Sequence, residues 1–251
     1  MKRFALIGHP VAGSLSPRLF QAAYGGRYPY DLIDEAAFAD AWERFLAQYE
    51  GINVTAPFKQ DAYASVDRLS PEASLTGAVN LVVRREGELV GYNTDVEGVL
   101  GAVREAGLPV SDALVVGAGG AARAAAVAAR QLGCRVTITN RTLAKAEALA
   151  AALGCEAVSP ADAGALAPDL VVYTIPGGEN RSADSVIPGL TGDLLRRAVV
   201  LEAEYKHPVL SSVPCRAYLG GRRWLLWQAV AGYRLFTGEE PDVTAMEKAL
   251  L

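Results

Sequence analysis

Histidine is nearly missing from this chain of 251 residues: His9 and His207 are its two copies. That leaves too little material for a histidine-based triad or metal site. Cysteine is scarce as well. Cys134, Cys155 and Cys215 are odd in number, widely spaced and without a CxxC pair, so neither a disulfide framework nor a zinc knuckle is indicated, and a reducing compartment fits. Positive charge is not in excess either. The formal net charge is -4 and the pI about 5.3. The pairs Arg84-Arg85, Arg196-Arg197 and Arg222-Arg223 make no basic stripe, so nucleic acid is not the expected partner. No long apolar run suggests a membrane span, and the N-terminus enters a strand-like run at once, unlike a signal peptide. The expected location is therefore the cytoplasm.

What is present is a composition that is 51% hydrophobic and 21% charged, enough to bury a full core and to divide into two lobes. Phe4 to Gly8 reads as a buried parallel strand, followed by a loop and a helix that can start at Ser14-Leu15-Ser16-Pro17. Tyr30 to Ile33 and Gly51 to Thr55 read as further strands, with helical spacing between them over Phe38 to Tyr49. Leu81 to Arg84 and Leu89 to Tyr92 flank a hairpin turn at Glu86-Gly87-Glu88. After Asn93-Thr94-Asp95 a helix to Ala106 leads into a second series. Its strands are Ala113 to Val116, Arg135 to Thr139, Leu170 to Thr174 and Val199 to Glu202, with helices over Ala121 to Leu132 and Leu143 to Leu153. Such alternation implies a parallel sheet with right-handed crossovers. Trp224 to Phe236 and Val243 to Leu251 close the chain as helices.

Two segments carry chemistry. In Asn53-Val54-Thr55-Ala56-Pro57-Phe58-Lys59, Ile52 and Val54 read as buried, Thr55 can offer a hydroxyl at the strand's end, and Pro57 removes a ladder donor. Lys59 then stands beside a cleft, where partial desolvation favours a neutral amine ready for proton transfer. The ordinary alternative is a solvated surface lysine. The second segment, Val116-Gly117-Ala118-Gly119-Gly120-Ala121, follows a strand and opens a helix, the context in which glycines let backbone amides approach a pyrophosphate. A structural turn in an unrelated sheet is the alternative. About twenty residues on, Asn140-Arg141-Thr142 and Lys145 stand where an NAD site would place an acidic side chain. A guanidinium and small polar groups suit a 2′-phosphate, so NADP is expected.

These segments, with Gly77-Ala78-Val79-Asn80 and Gly91-Tyr92-Asn93-Thr94-Asp95, resemble shikimate dehydrogenase over almost the full chain. The resemblance implies an α/β fold of two lobes. A discontinuous substrate-binding domain (1–96 and 223–251) is joined by an inserted Rossmann-like NADP-binding domain (97–222). It also implies NADPH-dependent reduction of 3-dehydroshikimate to shikimate in aromatic amino acid biosynthesis. On the residues that match, Lys59 is the catalytic lysine and Asp95 its partner, and Ser14 and Ser16 hold the substrate carboxylate. Thr55, Asn80 and Gln228 bind the ring hydroxyls, and Tyr205 faces substrate. Gly117, Ala118, Gly119, Gly120 and Ala121 take the pyrophosphate, and Asn140, Arg141, Thr142 and Lys145 the 2′-phosphate. Ala203 and Gly221 lie by the nicotinamide, and no metal is implied. The chain departs from the family in having Gly13 for histidine, Leu81 for threonine, Tyr173-Thr174-Ile175 for Asn-x-Thr, and Glu202 to Pro208 for Asp-x-x-Tyr-x-Pro. Tyr173 and Ile175 are expected to alter the wall beside the cofactor. The rival readings are a quinate/shikimate dehydrogenase or paralogue acting on a related cyclohexene carboxylate, and a non-catalytic nucleotide-sensing module.

Overall fold

A computed structural model describes residues 2–177, 190 and 192–251, and the chain divides into two compact units, Met1–Thr94 with Leu226–Leu251 and Asp95–Leu225. The first unit is built on β1 (Phe4–Gly8), β2 (Tyr30–Asp34), β3 (Gly51–Val54), β4 (Arg68–Leu69), β5 (Leu81–Arg85) and β6 (Glu88–Tyr92), in the order β2-β1-β3-β5-β6-β4. Every residue of β1 is buried, as a continuous apolar run covered on both faces requires. It pairs in parallel with β2 and β3. The sheet then changes direction, because β5 runs antiparallel to both β3 and β6. Glu86 and Gly87 both have positive φ, the backbone of a two-residue hairpin turn, so Glu88 already belongs to β6.

Alternation along β1 sends Ala5 and Ile7 to one face of the sheet, where they join Phe45 of α2 (Phe38–Gln48) and Ala62 of α3 (Lys59–Ser65). Phe4 turns to the other face. There it stacks on Phe236 of α9 (Gly221–Thr237) at 4.8 Å and tilts against Phe20 of α1 (Ser16–Tyr24) at 5.4 Å. The segments α3 and α4 (Pro71–Thr76) are absent from the sequence reading. With 7 and 6 residues, they are too short for a 3.6-residue period to show. Caps explain α4 instead: the Ser70 hydroxyl accepts from Ala73 N, Pro71 follows, and Gly77 ends the helix in the left-handed region.

The second unit contains α5 (Asp95–Ala106), β7 (Asp112–Val116), α6 (Gly120–Gln131), β8 (Arg135–Thr139), α7 (Leu143–Leu153), β9 (Glu156–Val158), β10 (Leu170–Tyr173), α8 (Gly192–Arg197), β11 (Val199–Glu202) and β12 (Ala217–Leu219). Its strands are all parallel, in the order β12-β11-β10-β7-β8-β9, so the winding reverses between β7 and β10. Small side chains let α6 lie close on this sheet: Ala122 and the whole run from Ala124 to Ala129 are buried. The opposite face is covered by a core that includes Leu114, Val171, Tyr173, Leu194, Leu195 and Leu210. The closing helix α10 (Val243–Leu250) belongs to the first unit and is capped by Asp242, whose carboxylate accepts from Ala245 N at 2.9 Å.

One polar atom departs from this satisfied interior. Thr139, at the end of β8, is fully buried and its Oγ1 has no hydrogen-bond partner among the described residues. Leaving a hydroxyl buried and unpaired costs about 1–3 kcal/mol. Thr139→Val should therefore raise the unfolding free energy by roughly 1 kcal/mol, read as a higher midpoint in urea at unchanged slope. A lower midpoint would show that the hydroxyl is satisfied in solution.

Candidate active site

Strand pairing in the first unit decides which loops meet. Gly8 and Val54 end the parallel neighbours β1 and β3, so the chain leaves both strands from one edge of the sheet. Two hydrogen bonds carry the pairing past the strand ends, His9 N to Ala56 O at 3.1 Å and Thr55 N to Ile7 O at 3.0 Å. A Cβ on Gly8 would collide with the Thr55 side chain, so glycine is needed for the loops to close up. The first loop ends at the start of α1. There Ser14 Oγ donates to Ser16 Oγ at 3.2 Å and accepts from Ser16 N at the same distance. Two hydroxyls at a helix start are a neutral cradle for an anion. Asp34, at the end of β2, pins the loop by accepting from Val11 N at 3.1 Å and meeting His9 Nδ1 at 2.8 Å. The Val11 amide first, and then His9, hold the Asp34 carboxyl below its ordinary range.

The second loop begins one residue earlier than the sequence suggests and ends in a helix: β3 stops at Val54, a turn closes by Phe58 N to Thr55 O at 3.0 Å, and Lys59 is the half-buried first residue of α3. Its backbone carbonyl accepts from Val79 N at 3.0 Å, which sets the start of α3 beside the segment leading to Asn80. Because β5 is antiparallel, its start lies at the same edge: Val54 N donates to Asn80 O at 2.8 Å and Asn80 N to Tyr92 O at 2.9 Å. Asn80 is buried, and its Oδ1 accepts from Thr94 N at 2.8 Å and faces Thr94 Oγ1 at 3.3 Å. Thr94 Oγ1 in turn lies 3.3 Å from Gln228 Oε1 on α9. With Oδ1 engaged, the amide nitrogen is the part of Asn80 that can donate to a ligand.

Sequence reasoning missed three further members of this edge. Tyr30 donates to Asn53 Oδ1 at 2.8 Å, Asn53 Nδ2 approaches Asn80 O at 3.4 Å, and Tyr233 donates to Ser16 O at 3.1 Å. Burial pushes both phenols up, so they serve as neutral donors. Aromatics at strand and helix spacing read as plain core, but a buried asparagine inside a four-residue strand is a signal that could have been followed. The edge thus gathers Ser14, Ser16, Thr55, Lys59, Asn80 and Gln228. Asp95 directly follows Thr94 in the chain and opens α5, in the second unit.

In the second unit Thr139, Val116, Tyr173 and Glu202 stand in one register row across β8, β7, β10 and β11. The segments that follow them lie side by side, joined by Gly117 N to Thr139 O at 2.8 Å, Thr174 N to Val116 O at 2.9 Å and Ala203 N to Tyr173 O at 2.9 Å. Gly117 has φ of +123° and a Cβ there would strike Thr174 Oγ1, which itself donates to Val116 O at 2.8 Å. Gly119 caps α6 with extended backbone and no side-chain cap, and a Cβ on Gly119 or Gly120 would meet nothing within 4 Å. This open helix start, with Ala118 before it and Ala121 in its first turn, presents unpaired N–H groups to an anion. Asn140 Nδ2 donates to Thr142 O at 3.0 Å, and Arg141, Thr142 and Lys145 are exposed beside it. With strands about 4.8 Å apart, the edge from β8 to β11 spans roughly 14 Å, room for an extended nucleotide chain.

At the β11 end the structure gathers the remaining residues. A Cβ on Gly221 would strike the Ala203 carbonyl, and Tyr205 is half-buried with its phenol pushed up by burial. The departures at Tyr173 and Ile175 fall at the end of β10 and on the segment that leaves it. Tyr173 is a buried member of the core with Val116 and Leu210, and Ile175 packs against that core, so the residue turned toward Gly117 is Thr174. Leu81 is likewise buried, its Cδ1 set against Gly232 of α9. Among the described residues there is no cluster of His, Cys, Asp or Glu fit to hold a metal ion, and no helix is long and apolar enough to cross a membrane.

Comparison with known proteins agrees with this layout segment by segment. Residues 6–82 match the family model of the shikimate dehydrogenase substrate binding domain, 102–170 that of shikimate / quinate 5-dehydrogenase, and 225–251 that of the shikimate 5′-dehydrogenase C-terminal domain. A shikimate dehydrogenase (NADP(+)) of Thermus thermophilus is 39% identical, covering 99% of this chain and 97% of its own. Another from Rubrobacter xylanophilus is 40% identical over 98% of this chain and 94% of its own. Among solved structures, shikimate 5-dehydrogenase from Thermus thermophilus in complex with NADP(H) and shikimate superposes with a TM-score of 0.83 at 35% identity, covering 99% and 98% of the two chains. Quinate dehydrogenase from Corynebacterium glutamicum in complex with NAD superposes with a TM-score of 0.84 at 26% identity, again over 99% and 98%. Similarity that runs the whole length of the chain, through both sheets and the returning C-terminal helices, leaves one assignment: the chain belongs to the shikimate dehydrogenase family.

Proposed function

We propose that the protein catalyses the reversible, NADPH-dependent reduction of 3-dehydroshikimate to shikimate, a step of aromatic amino acid biosynthesis. The observation that carries this reading is the edge of the first sheet, where a hydroxyl pair at a helix start stands with Asn80, Gln228 and Lys59. That donor set suits a small ring bearing one carboxylate and several hydroxyls. In this reading the first unit binds substrate and the second NADP. Ser14 and Ser16 hold the carboxylate, Thr55, Asn80 and Gln228 the ring hydroxyls, and Tyr205 lines the substrate side. The bound nicotinamide supplies the hydride. Lys59 gives a proton to the ketone oxygen and takes it back in the reverse direction, and Asp95 orients the lysine. Gly117 to Ala121 receive the pyrophosphate, Asn140, Arg141, Thr142 and Lys145 the 2′-phosphate, and Ala203 and Gly221 border the nicotinamide. The three cysteines are free thiols, in keeping with a cytoplasmic protein.

A second reading, oxidation of quinate with NAD, is favoured by the likeness to the Corynebacterium enzyme. Initial rates with shikimate or quinate, each paired with NADP or NAD, separate the two. Shikimate with NADP should give the highest kcat/KM, and a higher value for quinate with NAD would overturn the proposal. Binding of NADP without turnover on either substrate would point to a nucleotide sensor instead.

Two variants test the residues. Lys59→Ala should lower kcat by about 10²–10⁴-fold, the usual weight of general acid-base catalysis, while the Kd for NADP measured by calorimetry stays unchanged. Undiminished turnover would remove Lys59 from the mechanism. Gly119→Ala should still fold, since the added methyl meets nothing within 4 Å, with the poorer N-cap costing at most about 1 kcal/mol, yet weaken NADP binding at least about tenfold by occupying the phosphate's approach. Unchanged NADP affinity would mean that the anion does not sit on this turn.

A further inference from the structure

The wall that follows β10 and β11 is held by two carboxylates that the proposed chemistry does not use. Glu202, fully buried at the end of β11, accepts from Val209 N at 2.7 Å, Leu210 N at 3.1 Å and the Tyr218 hydroxyl at 2.7 Å. It anchors the far end of the segment from Ala203 to Pro208. Glu204 lies within that segment and works across it. Its Oε1 accepts from Lys206 N at 2.7 Å and His207 N at 3.3 Å, and its Oε2 accepts from Gly177 N at 3.3 Å, a residue of the chain leaving β10. Gly177 is needed for the approach: a Cβ there would strike His207 O and stand 2.8 Å from Glu204 Cγ. Burial alone would raise the Glu204 carboxyl, but the amides of Lys206, His207, Gly177 and Tyr205 outweigh it and hold the group below its ordinary value. The clamp is therefore an anion receiving N–H donors at neutral pH.

The register row of the second sheet shows what this clamp would control. Asn140 to Thr142 follow β8, Gly117 to Gly119 follow β7, Thr174 to Gly177 follow β10 and Ala203 to Pro208 follow β11. A dinucleotide with its 2′-phosphate over β8 and its pyrophosphate over β7 must lay its nicotinamide half along the last two segments. We propose that Glu204 is a positioning residue for hydride transfer: by tying the segment after β11 to the segment after β10, its carboxylate fixes the wall against which the nicotinamide is laid. This rests on the NADP-dependent reading above. It adds a residue that touches neither substrate nor cofactor and acts through Gly177, Lys206 and His207.

The test uses Glu204→Gln in the full chain. Glutamine keeps the shape but turns one of the two acceptors into a donor that faces donors. Amide hydrogen exchange at Gly177, Lys206 and His207 should quicken at least about tenfold, and kcat should fall by about ten- to a hundredfold, the scale on which a misplacement of about 1 Å acts. The Kd for adenosine 2′,5′-bisphosphate, which reaches the phosphate clamp but not the nicotinamide wall, should stay at the wild-type value. Gly177→Ala, which forces the same two segments apart from the other side, should give the same pattern. Wild-type kcat in Glu204→Gln, or an equal loss of affinity for NADPH and for adenosine 2′,5′-bisphosphate, would overturn the proposal. Activity of the wild-type protein in the same assay tests the functional reading by itself, whereas exchange at the three amides reads the clamp without any turnover.

Discussion

Parallel pairing of β1 with β3, and of β8, β7, β10 and β11 in turn, aligns the strand ends from which most segments of the candidate site depart. The ladder does not stop at the last strand residue. Bonds such as His9 N to Ala56 O and Gly117 N to Thr139 O extend it into the loops, so the side chains there inherit the precision of the sheet. In the first unit the change to antiparallel pairing at β5 matters as much, because it brings Asn80 and Thr94 back to the edge that Ser14 and Thr55 occupy. A wholly parallel sheet would place the start of β5 at the opposite end.

Burial then sets what these polar groups can do. Asn53, Asn80 and Thr94 are all buried, and a buried amide or hydroxyl is tolerated only when it is hydrogen-bonded. The contacts Tyr30 to Asn53, Asn53 to the Asn80 carbonyl and Thr94 N to Asn80 Oδ1 meet much of that demand internally and orient Asn53 and Asn80. Glu202 solves a harder case in the second unit, a fully buried carboxylate satisfied by two amides and a phenol. Among the described residues Thr139 is the exception, at the end of the strand that leads to Asn140 and Arg141.

Two of the departures from the family pattern are taken up by packing. Leu81 lies against α9 beside Gly232, and Tyr173 fills the core beneath the row of strand ends. In each case a larger side chain is buried. Gly13 is exposed on the loop before Ser14, and nothing in the structure explains the choice of glycine there.

Much of the layout was legible in the chain alone. Continuous apolar runs at Phe4 to Gly8 and Ala113 to Val116, the glycine turn after the latter, and Lys59 in its hydroxyl-bearing segment are local patterns, and local patterns survive without coordinates. The short helices α3 and α4 escaped because six or seven residues cannot display a helical period, and Tyr30, Asn53 and Tyr233 escaped because an aromatic's burial says nothing of where its hydroxyl points. Sequence by itself determined the types of the long elements, the glycine positions and the stock of donors and charges, since these follow from side-chain chemistry and spacing. Tertiary structure alone decided that Tyr173 is core, that Lys59 opens a helix, and that Glu204 reaches the chain leaving β10, because those outcomes depend on register between strands far apart in the chain.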